Sequence, residues 1–161
     1  MLVVFEKIGD ISTEEVTFYS VRLNKNELTE IELFDEYEFP EHSKELEILY
    51  NVIDEIKYRG AKSYYFKSEE GANALPRVSQ QIINANKKDY GLRLYCIRLT
   101  DNIVVLLNGN IKTKHNPEEC PNVRRHFKNA IKIARKLDKL LREGEVNYEK
   151  PNCLLNLEFE I

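Results

Sequence analysis

"YGLRLYCIRLTDNIVVLLNGNIKTK", residues 90–114, decides the fold. Two apolar runs, 91–100 and 103–111, flank Asp101-Asn102, so the stretch reads as a β-hairpin closed by a two-residue turn. Asp and Asn both tolerate the positive φ that a tight hairpin turn demands. Such a turn pairs Thr100 with Ile103 and sets the register below it. One face then carries Arg93, Tyr95, Ile97 and Leu99 opposite Val104, Leu106, Asn108 and Asn110. The other carries Leu92, Leu94, Cys96 and Arg98 opposite Val105, Leu107 and Gly109. The run "IVVLL", 103–107, is apolar on both sides, which places the second strand inside a sheet. Gly109, alone between two asparagines at the strand end, reads as a bulge or turn.

Outward from the hairpin, "AKSYYFKSEEGANALPRV" combines extended-favouring Tyr64, Tyr65 and Phe66 with loop markers Gly71 and Pro76. "QQIINANKKD", 80–89, is polar and reads as a helical turn or a loop. At the start, "MLVVFEKI" and "EEVTFYSVRL" are strands separated by the polar "GDIST", and the first reads as a strand and not a signal peptide. "NELTEIELFDEYEF" predicts a short acidic helix halted by Pro40. "EHSKELEILYNVIDEIKYRG" places Leu46, Leu49, Tyr50, Ile53 and Ile56 on one helical face, with Ser43 as N-cap and Gly60 as stop.

After the hairpin, Asn116-Pro117-Glu118-Glu119 is a helix-entry signature, and Pro121 sets the main helix to begin near Asn122. Val123, Phe127, Ala130, Ala134, Leu137 and Leu141 recur at steps of three and four, a buried stripe ended by Gly144. Residues 155–161 alternate apolar and polar as a half-buried strand. No repeat or low-complexity linker divides the chain, so a single domain over residues 1–161 is expected.

The charge is distributed unevenly. Net charge is −3, yet residues 1–56 hold 4 Lys/Arg against 15 Asp/Glu, while residues 57–142 hold 19 against 7. A basic middle between acidic ends suggests a surface for a polyanion or an acidic partner. Alternatively, the acidic start folds back and neutralises it. At the open end of the hairpin, Arg93, Tyr95, Asn108 and Asn110 converge, and the chain leaves through Lys112, Lys114 and His115. These groups suit gripping a phosphate and stacking a base. Along the last helix, Arg124, Lys128, Lys132, Arg135, Lys136, Lys139 and Arg142 follow helical steps, with Asp138 the only acid between 122 and 142. A merely solvated face mixes signs for i,i+4 pairing; this one hardly does. Arg98 shares a face with apolar neighbours, so it is either paired with a buried acid or snorkelling at an edge.

Other chemistry finds little support. No apolar run approaches the roughly 18 residues of a membrane span, and no membrane association is expected. Three widely spaced cysteines, Cys96, Cys120 and Cys153, argue for free thiols in a reducing cytoplasm. His115, Cys120 and His126 lack the spacing of a zinc site, and neither a phosphate loop nor a dinucleotide fingerprint is present, so neither metal nor cofactor is expected.

"LRLYCIRLTDNIVVLLNGNIKTK" followed by a polar loop and a basic helix resembles the core of the RelE/HigB-like toxins, and "YRGAKSYYFKSEEGANALP" is similar to the segment preceding their hairpin. The resemblance covers roughly residues 15–142. It implies an α+β fold: a small antiparallel β-sheet, two helices in the N-terminal half and a long basic C-terminal helix, here with an extra strand at each end. It further implies a toxin of a type II toxin–antitoxin system, a metal-independent endoribonuclease acting on mRNA at the ribosome and restrained by a helix-turn-helix antitoxin. The RNA's own 2′-hydroxyl would be the nucleophile. By position, Arg93 and Lys112 would stabilise charge on the scissile phosphate, and Lys114, His115 or Tyr95 would transfer a proton. Two departures stand out: the chain ends in the acidic "NLEFEI", and its net charge is negative. A scaffold can keep its shape without the reaction, which leaves a non-catalytic module binding nucleic acid or an acidic partner as the alternative.

Overall fold

The computed structural model describes residues 1–77 and 90–161; the expected turn or loop at 80–89 lies outside them. The described residues form a mixed α+β fold. Seven strands, β1 (Leu2–Lys7), β2 (Thr17–Leu23), β3 (Lys67–Glu69), β4 (Ala72–Leu75), β5 (Leu92–Thr100), β6 (Ile103–Ile111) and β7 (Glu158–Glu160), make one sheet in the order β3-β4-β5-β6-β2-β1-β7. Among the described residues three α-helices accompany it: α1 (Glu30–Asp35), α2 (Ser43–Arg59) and α3 (Arg124–Arg142).

The sheet is larger than the small antiparallel one expected, and it is mixed. β2 runs parallel to β6, pairing Thr17 with Ile103 and Tyr19 with Val105, while the other pairs are antiparallel. Local periodicity identifies strands but carries no information about which distant strand supplies the neighbour. The turn of the central hairpin makes that junction: Thr17 N–H donates to Asn102 O at 2.8 Å, and Asn102 Nδ2 donates to Glu15 O at 2.8 Å.

Helices cover both faces, which explains why β5 and β6 are apolar on both sides. Tyr95, Ile97, Ile103, Val105 and Leu107 pack with Phe127, Ala130, Ala134 and Leu137 of α3. Leu92, Leu94, Cys96, Val104 and Leu106 pack with Ile31 and Phe34 of α1 and with Leu49, Ile53 and Ile56 of α2.

The hairpin register departs from the simple ladder twice. Thr100 does pair with Ile103, but neither Asp101 nor Asn102 takes a positive φ. The ladder instead slips by one residue between Arg98 and Thr100, then slips back between Leu94 and Cys96, so Ile97 opposes Val105 and Arg93 opposes Asn110. The first bulge reconciles an ordinary turn with the strand twist. The second sits opposite Leu107, Asn108 and Gly109, consistent with the lone glycine. The middle of the expected face assignment is therefore exchanged: Tyr95 and Ile97 share a face with Val105 and Leu107, not with Val104 and Leu106.

The helices differ from expectation at their ends. α1 is shorter than the acidic segment and starts at a capping box, in which Glu32 N–H donates to Thr29 Oγ1 at 3.4 Å and Thr29 N–H donates to Glu32 Oε2 at 2.7 Å. α2 begins at Ser43 itself, after a 3-10 turn at Pro40–His42, and Gly60 stops it as expected. Its buried row is Glu45, Leu49, Ile53 and Ile56, while Tyr50 faces solvent and bonds Asp35. In α3 the stripe gains Ile131 and Ile133 and ends on Leu140, with Leu141 exposed. Tyr64 and Tyr65 lie in a 3-10 turn, Ser63–Tyr65, and the extended segment follows as the β3–β4 hairpin around Gly71. β7 pairs with β1, and the Met1 ammonium meets Glu160 at 2.9 Å.

Candidate nucleic-acid interface

The open end of the β5–β6 hairpin gathers part of the expected site, but below the surface. Arg93 is 1% exposed, Tyr95 0% and Lys112 3%. Their closeness follows from the second bulge and from Lys112 leaving β6 beside Gly91, whose carbonyl accepts its N–H at 2.9 Å. Arg93 NH1 donates to Leu92 O at 3.1 Å. Burial disfavours the charged form of both cations, and for Lys112 the neighbouring charges of Lys67 and Arg93 lower the pKa further. The Lys112 ammonium lies 5.7 Å from the Tyr90 ring centroid, a cation–π contact. Burial, then the Glu69 carboxylate, raises the Tyr95 phenol, so it stays protonated at neutral pH. Its Oη has no hydrogen-bond partner among the described residues.

Lys114 and His115 are exposed, and the His115 ring lies 5.8 Å from that of Tyr90. Tyr90 therefore touches both buried Lys112 and exposed His115. The two asparagines do not complete the convergence expected of them. Asn108 Oδ1 accepts from Gly109 N–H at 2.8 Å and Asn110 Oδ1 from Ile111 N–H at 2.7 Å, so each turns back on its own strand. Asn108 also hydrogen-bonds the buried Glu30 of α1, whose pKa is raised by burial against the opposing pull of Asn108 and Arg125.

The helical cations fare differently. Arg124, Lys128, Lys132, Arg135 and Lys139 are exposed; Lys136 is half-buried, its ammonium 5.9 Å from the Phe159 ring. Arg124 donates to Glu118 O, and Lys139 lies 3.8 Å from Glu143. Among the described residues, no ion pair joins a carboxylate of residues 1–56 to any of these six cations. The acidic start pairs instead within its own segments, as in Arg22–Glu6 at 2.7 Å. Arg98, held open between two readings, hydrogen-bonds Ala61 O at 2.6 Å and pairs with Asp101, a half-exposed acid of the turn that Lys62 also meets at 2.7 Å.

Several participants were not singled out from the sequence. Lys67 and Glu69 arrive from β3 at the edge, 3.6 Å from each other, with no local signal of their role. Glu45 is fully buried, and its Oε2 accepts from Leu92 N–H at 2.7 Å; its place one turn before Leu49 in an otherwise apolar row was a readable sign. Cys120 is buried beside the strand exit. Burial opposes its ionisation, but hydrogen bonds from the Thr113 hydroxyl and N–H and from the N–H groups of Val123 and Asn122 outweigh it, bringing its pKa to about 7. All three cysteines are free thiols, and among the described residues no group of three His, Cys, Asp or Glu is arranged to hold a metal. No helix of the described residues is long and apolar enough to cross a membrane.

No protein-family model, no curated protein and no solved structure matches the chain.

Proposed function

We propose that this protein binds RNA and acts as a cytoplasmic RelE/HigB-like toxin, cutting mRNA at the ribosome and silenced by a helix-turn-helix antitoxin. The observation that supports the reading is the row of exposed cations Arg124, Lys128, Lys132, Arg135 and Lys139 along α3, none of which forms an ion pair with an acid of residues 1–56 among the described residues. Such a row neutralises successive phosphates and releases their counterions. The row starts close to the strand exit, because Arg124 reaches back to Glu118 and Cys120 packs against Thr113.

In the proposed reaction the 2′-hydroxyl attacks the adjacent phosphorus and the 5′-oxygen leaves. Lys114 and His115 are the candidate groups exposed to a strand lying on this surface, and of the two the imidazole is the side-chain type suited to proton transfer. Arg93 and Lys112 lie beneath the surface with the Glu69 carboxylate near both, and would act on the strand through their charge without touching it. The non-catalytic binding module is favoured by a specific observation: Arg93, Tyr95 and Lys112 are all buried.

Controlled expression separates the two. A toxin arrests growth, and His115→Ala or Lys114→Ala relieves the arrest while leaving a folded protein. Normal growth with abundant soluble wild-type protein removes the nuclease and leaves the binding module. Affinity for RNA that stays flat between low and high salt removes both.

A further inference from the structure

On the α2 side of the sheet, away from α3, a cavity of about 520 Å³ opens between the β3–β4 hairpin and the turn end of β5. Its polar lining is Ser63, Lys67, Ser68, Asn73, Arg77 and Arg98, with no carboxylate among the described residues that line it. Lys67, which pairs with Ala74, sends its ammonium to the α3 face, 3.6 Å from Glu69, and Arg98 pairs with Asp101. Arg77 has no carboxylate within 4 Å among the described residues; its one recorded bond is NH1 to Tyr64 O at 3.3 Å. Asn73 Oδ1 accepts from Arg98 N–H at 2.9 Å, which leaves its amide NH₂ as a spare donor. The concavity thus presents the Arg77 guanidinium, the Ser63 and Ser68 hydroxyls and the Asn73 amide, donors matched to a phosphate group, while Arg98 is already paired with Asp101.

An exposed aromatic residue follows Ser63 of the lining in the chain. Tyr64, whose carbonyl Arg77 holds, is 59% exposed and packs against Tyr65 with ring centroids 4.6 Å apart. A guanidinium bonded to the backbone of an exposed tyrosine offers what one nucleotide of a single strand needs: a counter-charge for the phosphate and a face for the base.

We propose that this cavity is a nucleotide subsite of the RNA path, with Arg77 and Arg98 holding one backbone phosphate and Tyr64 stacking its base. The proposal rests on the RNA reading for its ligand but not for its site. Arg77 and Tyr64 suit the test because neither belongs to the core.

The probes are a labelled 12-nucleotide single-stranded RNA, followed by fluorescence anisotropy across a salt series, and AMP, followed by calorimetry. Arg77→Ala is expected to weaken the 12-mer about tenfold and to shallow the log–log salt slope by about 0.7. Tyr64→Ala is expected to weaken it about fivefold or more at an unchanged slope. Wild-type binding by both variants overturns the subsite, even where a Lys132→Ala/Arg135→Ala variant of α3 binds poorly. The converse, weakening by Arg77→Ala alone with the α3 variant unaffected, supports the subsite and overturns the α3 interface. AMP binding as tightly as the 12-mer and lost in Arg77→Ala identifies a free nucleotide and overturns the RNA part. A wild-type protein that binds neither probe overturns the whole proposal.

Discussion

Gly109 is the position where one methyl group tests the architecture of the hairpin end. A Cβ built there meets the Arg93 carbonyl oxygen at 1.8 Å, its carbonyl carbon at 2.8 Å and Leu94 Cα at 3.0 Å. All three are backbone atoms of the paired strand, so no side-chain rotation relieves the clash. Strand β5 must move by more than an ångström, at the bulge that seats Arg93 opposite Asn110. Overpacking in well-ordered interiors costs about 1–3 kcal/mol, and a backbone obstruction belongs at or above the upper end. For Gly109→Ala we expect a loss of about 3 kcal/mol, or a fall in Tm of roughly 6–12 °C for a domain of this size. Gly9, whose added Cβ meets nothing within 4 Å and whose φ is not in the left-handed region, is the control; Gly9→Ala is expected to change stability by less than about 1 kcal/mol. Circular-dichroism melts of the three proteins make the comparison. A Gly109→Ala melt within about 2 °C of wild type would refute the bulge geometry and the placement of Arg93 built on it.

The end of the α3 stripe gives a paired test: Leu140 is 6% exposed and Leu141 42%, so Leu140→Ala should cost about 2 kcal/mol or more and Leu141→Ala under about 1, read by urea denaturation. Equal costs would return the stripe to the spacing first read from the sequence. His126 is held at a pKa of about 4, by burial first and by the Arg125 charge second. Since the unfolded chain takes up a proton near pH 6.5 and the folded one does not, this group's stabilisation is complete above about pH 6.5 and is lost as pH falls toward 4. Allowing for partial exposure, about 1–2 kcal/mol should disappear between pH 7.5 and 5, and His126→Gln should remove that part of the pH slope; an unchanged slope counts against the burial. If the RNA strand lies on α3, Lys132→Ala with Arg135→Ala should shallow the log–log salt slope by about 1.4, and an identical slope would take these two cations out of the contact.

The amino-acid sequence determined the local matters. Alternation and branching fixed where β1, β2, β5 and β6 run, because side chains on a strand must face opposite sides. Three- and four-residue spacing fixed α2 and α3, Gly60 fixed a helix stop, and the one-signed outer side of α3 followed from the same periodicity as its buried side. Chemistry that depends on distance within a few residues was legible for that reason. Which strand lies beside β6, which hairpin residues oppose each other across two bulges, and whether a cation meets solvent were decided by the tertiary structure. Arg93 and Lys112 look like surface cations in the sequence, yet they are buried at the hairpin end, Lys112 against Tyr90 and Gly91 and both within reach of the Glu69 charge. Lys67, Arg77 and Arg98 are dispersed in the chain and form one cavity only once β3 and β4 take the edge beside β5. Local periodicity is a property of neighbouring residues, whereas burial and juxtaposition depend on contacts between distant ones, and no window on the sequence contains both partners.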